Sequence, residues 1–108
     1  DQVGSLAVGS YLDVGNFLPF CYPEHWIQAL GSRVVAVHVK DFRRSVGTAA
    51  GFVDLLEGDV NFPAVVAALR DAGYQGPLTA EMIPLYTHEP LVRVSNTSRA
   101  MDAILAMG

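Results

Sequence analysis

Arg33-Val34-Val35-Ala36-Val37-His38-Val39-Lys40-Asp41 is the stretch on which the fold turns. From Arg33 to Val39 it is β-branched and almost wholly apolar, which reads as a buried strand. Strands of that kind belong to parallel sheets covered by helices, where alternation gives way to continuous apolar runs. His38 interrupts the run near its end, and Lys40-Asp41 close it. The C-terminal end of a parallel strand is where α/β folds build their sites.

The same pattern recurs on both sides. Upstream, Ser10-Tyr11-Leu12-Asp13-Val14 reads as a shorter strand closed by Gly15-Asn16. Pro23 then opens a helix with Trp26, Ile27 and Leu30 on one face, and Gly31 ends it. Downstream, a long loop runs from about Asp41 to Val60 and holds Gly47, Gly51 and Gly58. A loop of that length in a compact domain is usually functional. Asn61 caps the next helix, with Pro63 in its first turn, Val65, Val66, Leu69 and Ala72 on its apolar face and Gly73 at its end. Gly76-Pro77 turns the chain into a third strand, Leu78-Thr79-Ala80-Glu81-Met82. A last helix starts near Pro90, with Met101, Ile104 and Leu105 as its core stripe. The order β-α-β-loop-α-β-α implies an α/β chain with a parallel sheet and right-handed crossovers. It fits an open three-layer fold or the last three units of a (β/α)8 barrel. In a barrel, Tyr11, Val35 and Val37 are candidates for the inward face.

Composition narrows the function classes. Of 108 residues, 51% are hydrophobic and 17% charged, which argues against disorder and allows one domain at most. The apolar share also suits a piece of a larger protein whose neighbours cover its faces. Net charge is −4 with seven basic residues, and Arg43-Arg44 is the only cluster, so nucleic acid is a poor partner. No apolar run approaches the roughly 20 residues of a membrane span, and the polar start shows no secretory signal. The single cysteine, Cys21, excludes an internal disulfide and reads as a small buried hydrophobe. It fits a reducing compartment, so a cytoplasmic location is expected.

Asp13, His38 and Glu81 each lie near the C-terminal end of a strand. A carboxylate, an imidazole and a second carboxylate suit Mg²⁺, Mn²⁺ or Co²⁺, and Zn²⁺ also fits. Each residue alone has an ordinary reading. Asp13 before Val14-Gly15-Asn16 can form a turn with its own backbone, and a lone His on an apolar strand is often a satisfied core residue. Glu81 is costly to bury without a partner. Their recurrence at one sheet edge joins them into a metal site. His25 reads as a surface residue of its helix, whereas His88 follows the third strand on the site side, as a candidate substrate contact.

Leu12-Asp13-Val14-Gly15-Asn16, His38-Val39-Lys40-Asp41, Glu57-Gly58-Asp59-Val60-Asn61-Phe62 and Gly73-Tyr74-Gln75-Gly76-Pro77-Leu78-Thr79-Ala80-Glu81 follow one another in the chain. Together they resemble successive signatures of the xylose-isomerase-like TIM barrels. The resemblance is closest to the sugar-phosphate isomerase/epimerase branch, with its ketose 3-epimerases, L-ribulose-5-phosphate 3-epimerases and hydroxypyruvate isomerases. It runs from about Val3 to Met107. It implies that residues 1–108 are the last three βα units of a (β/α)8 barrel whose earlier units are absent. It also implies a divalent-metal-dependent isomerase or epimerase acting on a sugar or sugar phosphate.

By the same resemblance Asp13, His38 and Glu81 are the last three of four metal ligands, the first being a Glu upstream of Asp1. Glu81 is then also catalytic, moving a proton next to a carbonyl while the metal stabilises an enediolate. Asn16 stands where some members carry a substrate-binding His; it can bond a sugar hydroxyl but cannot titrate near neutrality. Arg44, six residues after His38 and beside Arg43, matches an Arg that lies over the substrate. Lys40 and Asp41 are expected to touch substrate or orient a ligand. Lys40 either shares the site face with His38 or makes a helix-facing salt bridge. An endonuclease-IV-like repair enzyme would need more His and Glu ligands and a basic DNA face, which three His and a charge of −4 do not supply. A reading of another class is a non-catalytic α/β fragment serving as a binding or scaffold module. A homo-oligomer is expected where open sheet edges pair.

Overall fold

The computed structural model describes residues 2–82 and 85–108. Strand β1 (Ser10–Asp13) runs directly into the single-turn helix α1 (Val14–Phe17), and α2 (Pro23–Leu30) follows. Next come strand β2 (Val34–Val39), the short strands β3 (Asp41–Phe42) and β4 (Phe52–Val53), and helix α3 (Phe62–Asp71). Strand β5 (Leu78–Ala80) and helix α4 (Pro90–Leu105) complete the order. β1, β2 and β5 form a parallel sheet with β2 in the middle, and β3 pairs with β4 antiparallel as a separate hairpin. The architecture is α/β, with an unclosed sheet and mixed strand directions.

Side-chain alternation gives the sheet two unlike faces. Leu12, Val37 and Val39 are buried in one core with Ile27 of α2, Val65, Ala68 and Leu69 of α3 and Ile104 of α4. This is the helix-covered face, and burying such side chains is worth about 1.5–3 kcal/mol each. The opposite face carries Tyr11, Asp13, Ala36, His38 and Thr79, in the order set by the register that pairs Asp13 with His38 and His38 with Thr79. Tyr11 therefore lies on the uncovered face, as expected of an inward residue. Val37 does not: it is 1% exposed, and it packs under the helices because its parity is opposite to that of His38. Val35 shares the parity of Val37, and it is exposed.

The helices start and stop where local chemistry directs. The Asn61 side chain accepts from Ala64 N at 3.2 Å, and Pro63 sits in the first turn of α3. Gly31, at φ 54 and ψ −128, ends α2 in a conformation closed to residues with a Cβ. Some expected core positions lie outside the core. Trp26 is half-exposed and stacks on Phe17, with ring centroids 5.2 Å apart. Leu105 is exposed, and Ile104 takes the buried position beside it. Val14 begins α1 instead of ending β1, and β5 stops at Ala80.

The stretch from Asp41 to Val60 is not structureless. It folds back as the β3–β4 hairpin, with Asp41 opposite Val53 and Phe42 opposite Phe52. The Asp41 carboxylate organises it, accepting from Phe42 N at 2.8 Å, Gly58 N at 2.8 Å and Val60 N at 3.2 Å. A Cβ on Gly58 would collide with that carboxylate, so the Gly of Glu57-Gly58-Asp59 exists to let the loop close on Asp41.

Among the described residues, the outer edges of β1 and β5 have no strand partner. Open edges template pairing with other chains. Exposing even ~400 Å² of apolar surface costs about 10 kcal/mol, comparable with the whole ~5–15 kcal/mol stability of a domain. Residues 1–108 expressed alone are therefore expected to self-associate in analytical ultracentrifugation. A strict monomer with a sharp thermal transition would contradict this.

Candidate metal centre

The parallel register brings Asp13 of β1 level with His38 of β2. Glu81 lies just past β5, where its N–H still donates to Val39 O at 3.0 Å and so continues the ladder. Three side chains from three neighbouring strands thus meet at the C-terminal edge of the sheet. One ligand atom from each of Asp13, His38 and Glu81 lies within 4.8 Å of the others. The His38 Nδ1 is 3.7 Å from Asp13 Oδ2 and 3.4 Å from Glu81 Oε2. The three side chains are 13%, 29% and 38% exposed, so the cluster is partly sheltered from solvent.

The turn and metal readings of Asp13 use different oxygens. Its Oδ1 accepts from Asn16 N at 2.9 Å and caps α1. Its Oδ2 is buried and has no hydrogen-bond partner. A buried carboxylate oxygen without a donor is costly, and a cation is the group that would satisfy it. The imidazole is set to help. Tyr11 Oη lies 2.7 Å from His38 Nε2, with the two rings 4.4 Å apart, which turns Nδ1 toward both carboxylates. A partner on the far nitrogen fixes ring orientation at metal-binding histidines. The donor set fits, and Asp13, His38 and Glu81 could chelate a divalent ion.

Lys40 completes the charge pattern. Its Nζ is 2.7 Å from Glu81 Oε2 and 3.6 Å from Asp13 Oδ2, and its side chain is 7% exposed. It therefore shares the face of His38, and the helix-facing alternative does not hold. The ammonium also lies over the Phe52 ring, 4.8 Å from its centroid. The stem of Lys40 packs against Gly15, where a Cβ would collide with it. The Gly of Asp13-Val14-Gly15-Asn16 and the Lys of His38-Val39-Lys40-Asp41 are thus fitted to each other. The Lys40 hydrogen bond holds the Glu81 carboxyl below the ordinary carboxylate range, partial burial opposes it, and His38 adds to the lowering. One ammonium against two carboxylates leaves negative charge to attract a further cation.

The other candidates separate. Asn16 is exposed beside the cluster and lines a cavity with Phe20, Phe42 and Phe52. Asp41 is not open to substrate, contrary to expectation. It is 0% exposed, and backbone amides occupy its carboxylate. Burial pushes its carboxyl up, against the pull of those amides. Arg44 points its guanidinium at the Tyr22 ring, 5.2 Å from the centroid, and Arg43 donates to Glu57 O at 2.8 Å. His88 is exposed, and His25 sits edge-on to Tyr22.

Sequence reasoning missed two features. The orienting role of Tyr11 could have been read from its spacing two residues before Asp13, which puts both on one face. The second is a cluster in which buried Arg93 of α4 pairs with Asp54 at 2.5 Å while Tyr86 donates to the same carboxylate. That cluster ties the loop after β4 to the segment after β5. Nothing in the local sequence announces it, because its members lie 32 and 39 residues from Asp54.

Residues 1–102 match the family model described as xylose isomerase-like TIM barrel. Among solved structures, a xylose isomerase domain protein from Alicyclobacillus acidocaldarius subsp. acidocaldarius is similar with a TM-score of 0.79 at 21% identity, over 97% of this chain and 39% of that one. A xylose isomerase domain protein from Planctomyces limnophilus gives 0.77 at 23% identity, over 98% and 39%. A D-tagatose 3-epimerase-like protein gives 0.61 at 19%, over 89% and 35%. At these identities the likeness is one of fold, and the chain spans about two fifths of the length of the first two. No curated protein sequence matches the chain.

Two outcomes are expected from this geometry. In the metal-free protein, Lys40→Met should raise the midpoint at which the Glu81 carboxyl loses its proton, followed by carbon-13 NMR. In the unsubstituted protein the ionised form is favoured. Its stabilising contribution is therefore present at neutral pH and lost as pH falls through the depressed midpoint. An unmoved midpoint would remove Lys40 from the account. Tyr11→Phe should weaken Mn²⁺ binding about tenfold by calorimetry, because the imidazole loses its far-side partner.

Proposed function

Because this chain belongs to the xylose isomerase-like TIM-barrel family, we propose that it forms the metal-holding part of a divalent-metal-dependent isomerase or epimerase of a sugar or sugar phosphate. In this reading its three parallel βα units are the closing units of a (β/α)8 barrel, and its uncovered sheet face looks into that barrel. The observation that carries the proposal is the buried Asp13 Oδ2, which lacks a hydrogen-bond donor and sits among His38 Nδ1, Glu81 and Lys40 at the sheet edge where such sites are built.

Asp13, His38 and Glu81 would hold the ion, Mn²⁺, Mg²⁺ or Co²⁺ by the hardness of the donors, with Zn²⁺ also compatible. When bound, a divalent ion supplies Lewis-acid polarisation of a substrate carbonyl. Lys40 holds the Glu81 carboxyl below its ordinary range, and the carboxylate accepts the proton from the carbon beside that carbonyl. Epimerisation needs a second acid on the opposite face of that carbon, and this acid lies outside the cluster. Tyr11 keeps the imidazole aligned, and Asn16 stands beside the cluster as a candidate contact for substrate hydroxyls. A scaffold module with no metal would leave the Asp13 oxygen with the Lys40 ammonium at 3.6 Å as counter-charge and no hydrogen bond. Among the described residues no helix is long and apolar enough to cross a membrane.

Glu81→Gln in the intact enzyme is expected to abolish exchange of the substrate's carbon-bound proton with solvent, while Mn²⁺ binding weakens but survives. The amide keeps an acceptor oxygen and cannot take up a proton. Exchange at the unsubstituted rate, read by deuterium incorporation, would refute the role of Glu81.

A further inference from the structure

A cavity of about 380 Å³ opens between the segment that follows Asp13 and the β3–β4 hairpin. Asn16, Phe20, Phe42, Thr48 and Phe52 are among the residues that line it. It adjoins the candidate metal centre through two of them. The Asn16 N–H holds Asp13 Oδ1, and the Phe52 ring lies under the ammonium that pairs with Glu81. The cavity's size is in the range of a small-molecule subsite, ~300–1,000 Å³.

Its chemistry is selective. Phe42 and Phe52 meet edge to face, centroids 5.0 Å apart, and Phe20 stands 87% exposed at the rim. Aromatic faces carry partial negative charge, so they attract C–H groups and disfavour anions. None of the lining residues is cationic. The nearby cations are committed elsewhere: Lys40 to the two carboxylates, Arg43 to Glu57 O and Arg44 to the Tyr22 ring. Thr48 Oγ1 is used by Ala50 N. Among the described residues lining the cavity a phosphate dianion would find no charge partner, whereas the C–H face of an uncharged sugar would find aromatic surface with the Asn16 amide beside it.

We infer that this cavity receives the part of the substrate remote from the reacting carbons, and that this part is uncharged and presents an apolar face, so that the substrate is an unphosphorylated sugar or glycoside. The inference rests on the proposed metal centre for the place of the reacting end, and the cavity itself can be tested without metal.

The test is proton–nitrogen NMR of the intact, metal-free protein titrated separately with phenyl β-D-glucopyranoside and with inorganic phosphate. The glucoside is expected to shift the amides of Asn16, Phe20, Thr48 and Phe52, and phosphate to leave them in place. Phe20→Ala removes an exposed ring and should raise the glucoside Kd about fivefold. Shifts from phosphate, no shifts from the glucoside, or an unchanged Kd in Phe20→Ala would each overturn the inference. A separate Mn²⁺ titration decides the metal centre. Mn²⁺ binding insensitive to Asp13→Asn, with the glucoside still bound, sinks the metal reading and leaves the cavity standing.

Discussion

Two carboxylates facing one another across a sheet edge repel, and the architecture around Asp13 and Glu81 is arranged to tolerate this. Lys40 lies between them, buried along its stem and held over the Phe52 ring. Remove it, and two negative charges within 4.8 Å of each other and of the His38 ring would lose their compensating ammonium. The charge is only partly offset, and the remainder suits the cluster to a cation. Gly15 is part of the same arrangement, since a side chain there would collide with the Lys40 stem.

The segment after β2 shows how a buried acid shapes a site without taking part in it. Asp41 gathers the amides of Phe42, Gly58 and Val60, which draws the far end of the loop back to the end of β2. The hairpin formed between those ends brings Phe52 under Lys40 and sets Phe42 against it. The wall of the cavity beside the Asp13–His38–Glu81 cluster is therefore a consequence of the Asp41 clamp. On the other side of the site, the Asp54–Arg93–Tyr86 cluster joins the same loop to α4. Rim loops anchored at both ends keep lining side chains in fixed relation to the sheet edge, as preorganised sites require.

Much of this was legible beforehand. Continuous apolar runs ending in polar groups named the parallel strands, and helix-start and helix-stop residues such as Asn61, Pro63 and Gly31 bracketed the helices. Convergence of Asp13, His38 and Glu81 followed from their common place at strand ends. Errors arose where a residue's environment depends on partners distant in the chain. Val37 lies on the helix-covered face, which a continuous apolar run does not reveal because it carries no alternation from which to read orientation. Trp26 and Leu105 satisfy helical spacing, yet only a limited stripe of each helix reaches the core.

The sequence by itself determined the β–α order, the strands that bear the metal-competent groups and the family to which they are similar, because periodicity, capping and motif spacing are properties of neighbouring residues. Only the tertiary structure decided that Asp41 is a clamp and not a substrate contact. It alone showed that Lys40 bridges two strands' carboxylates, and that Tyr11 orients His38. Each of these depends on which groups from separate segments share a few ångströms of poorly solvated space. There a polar atom must find a partner or bear the cost of burial, and the identity of that partner is written in the fold and not in adjacent residues.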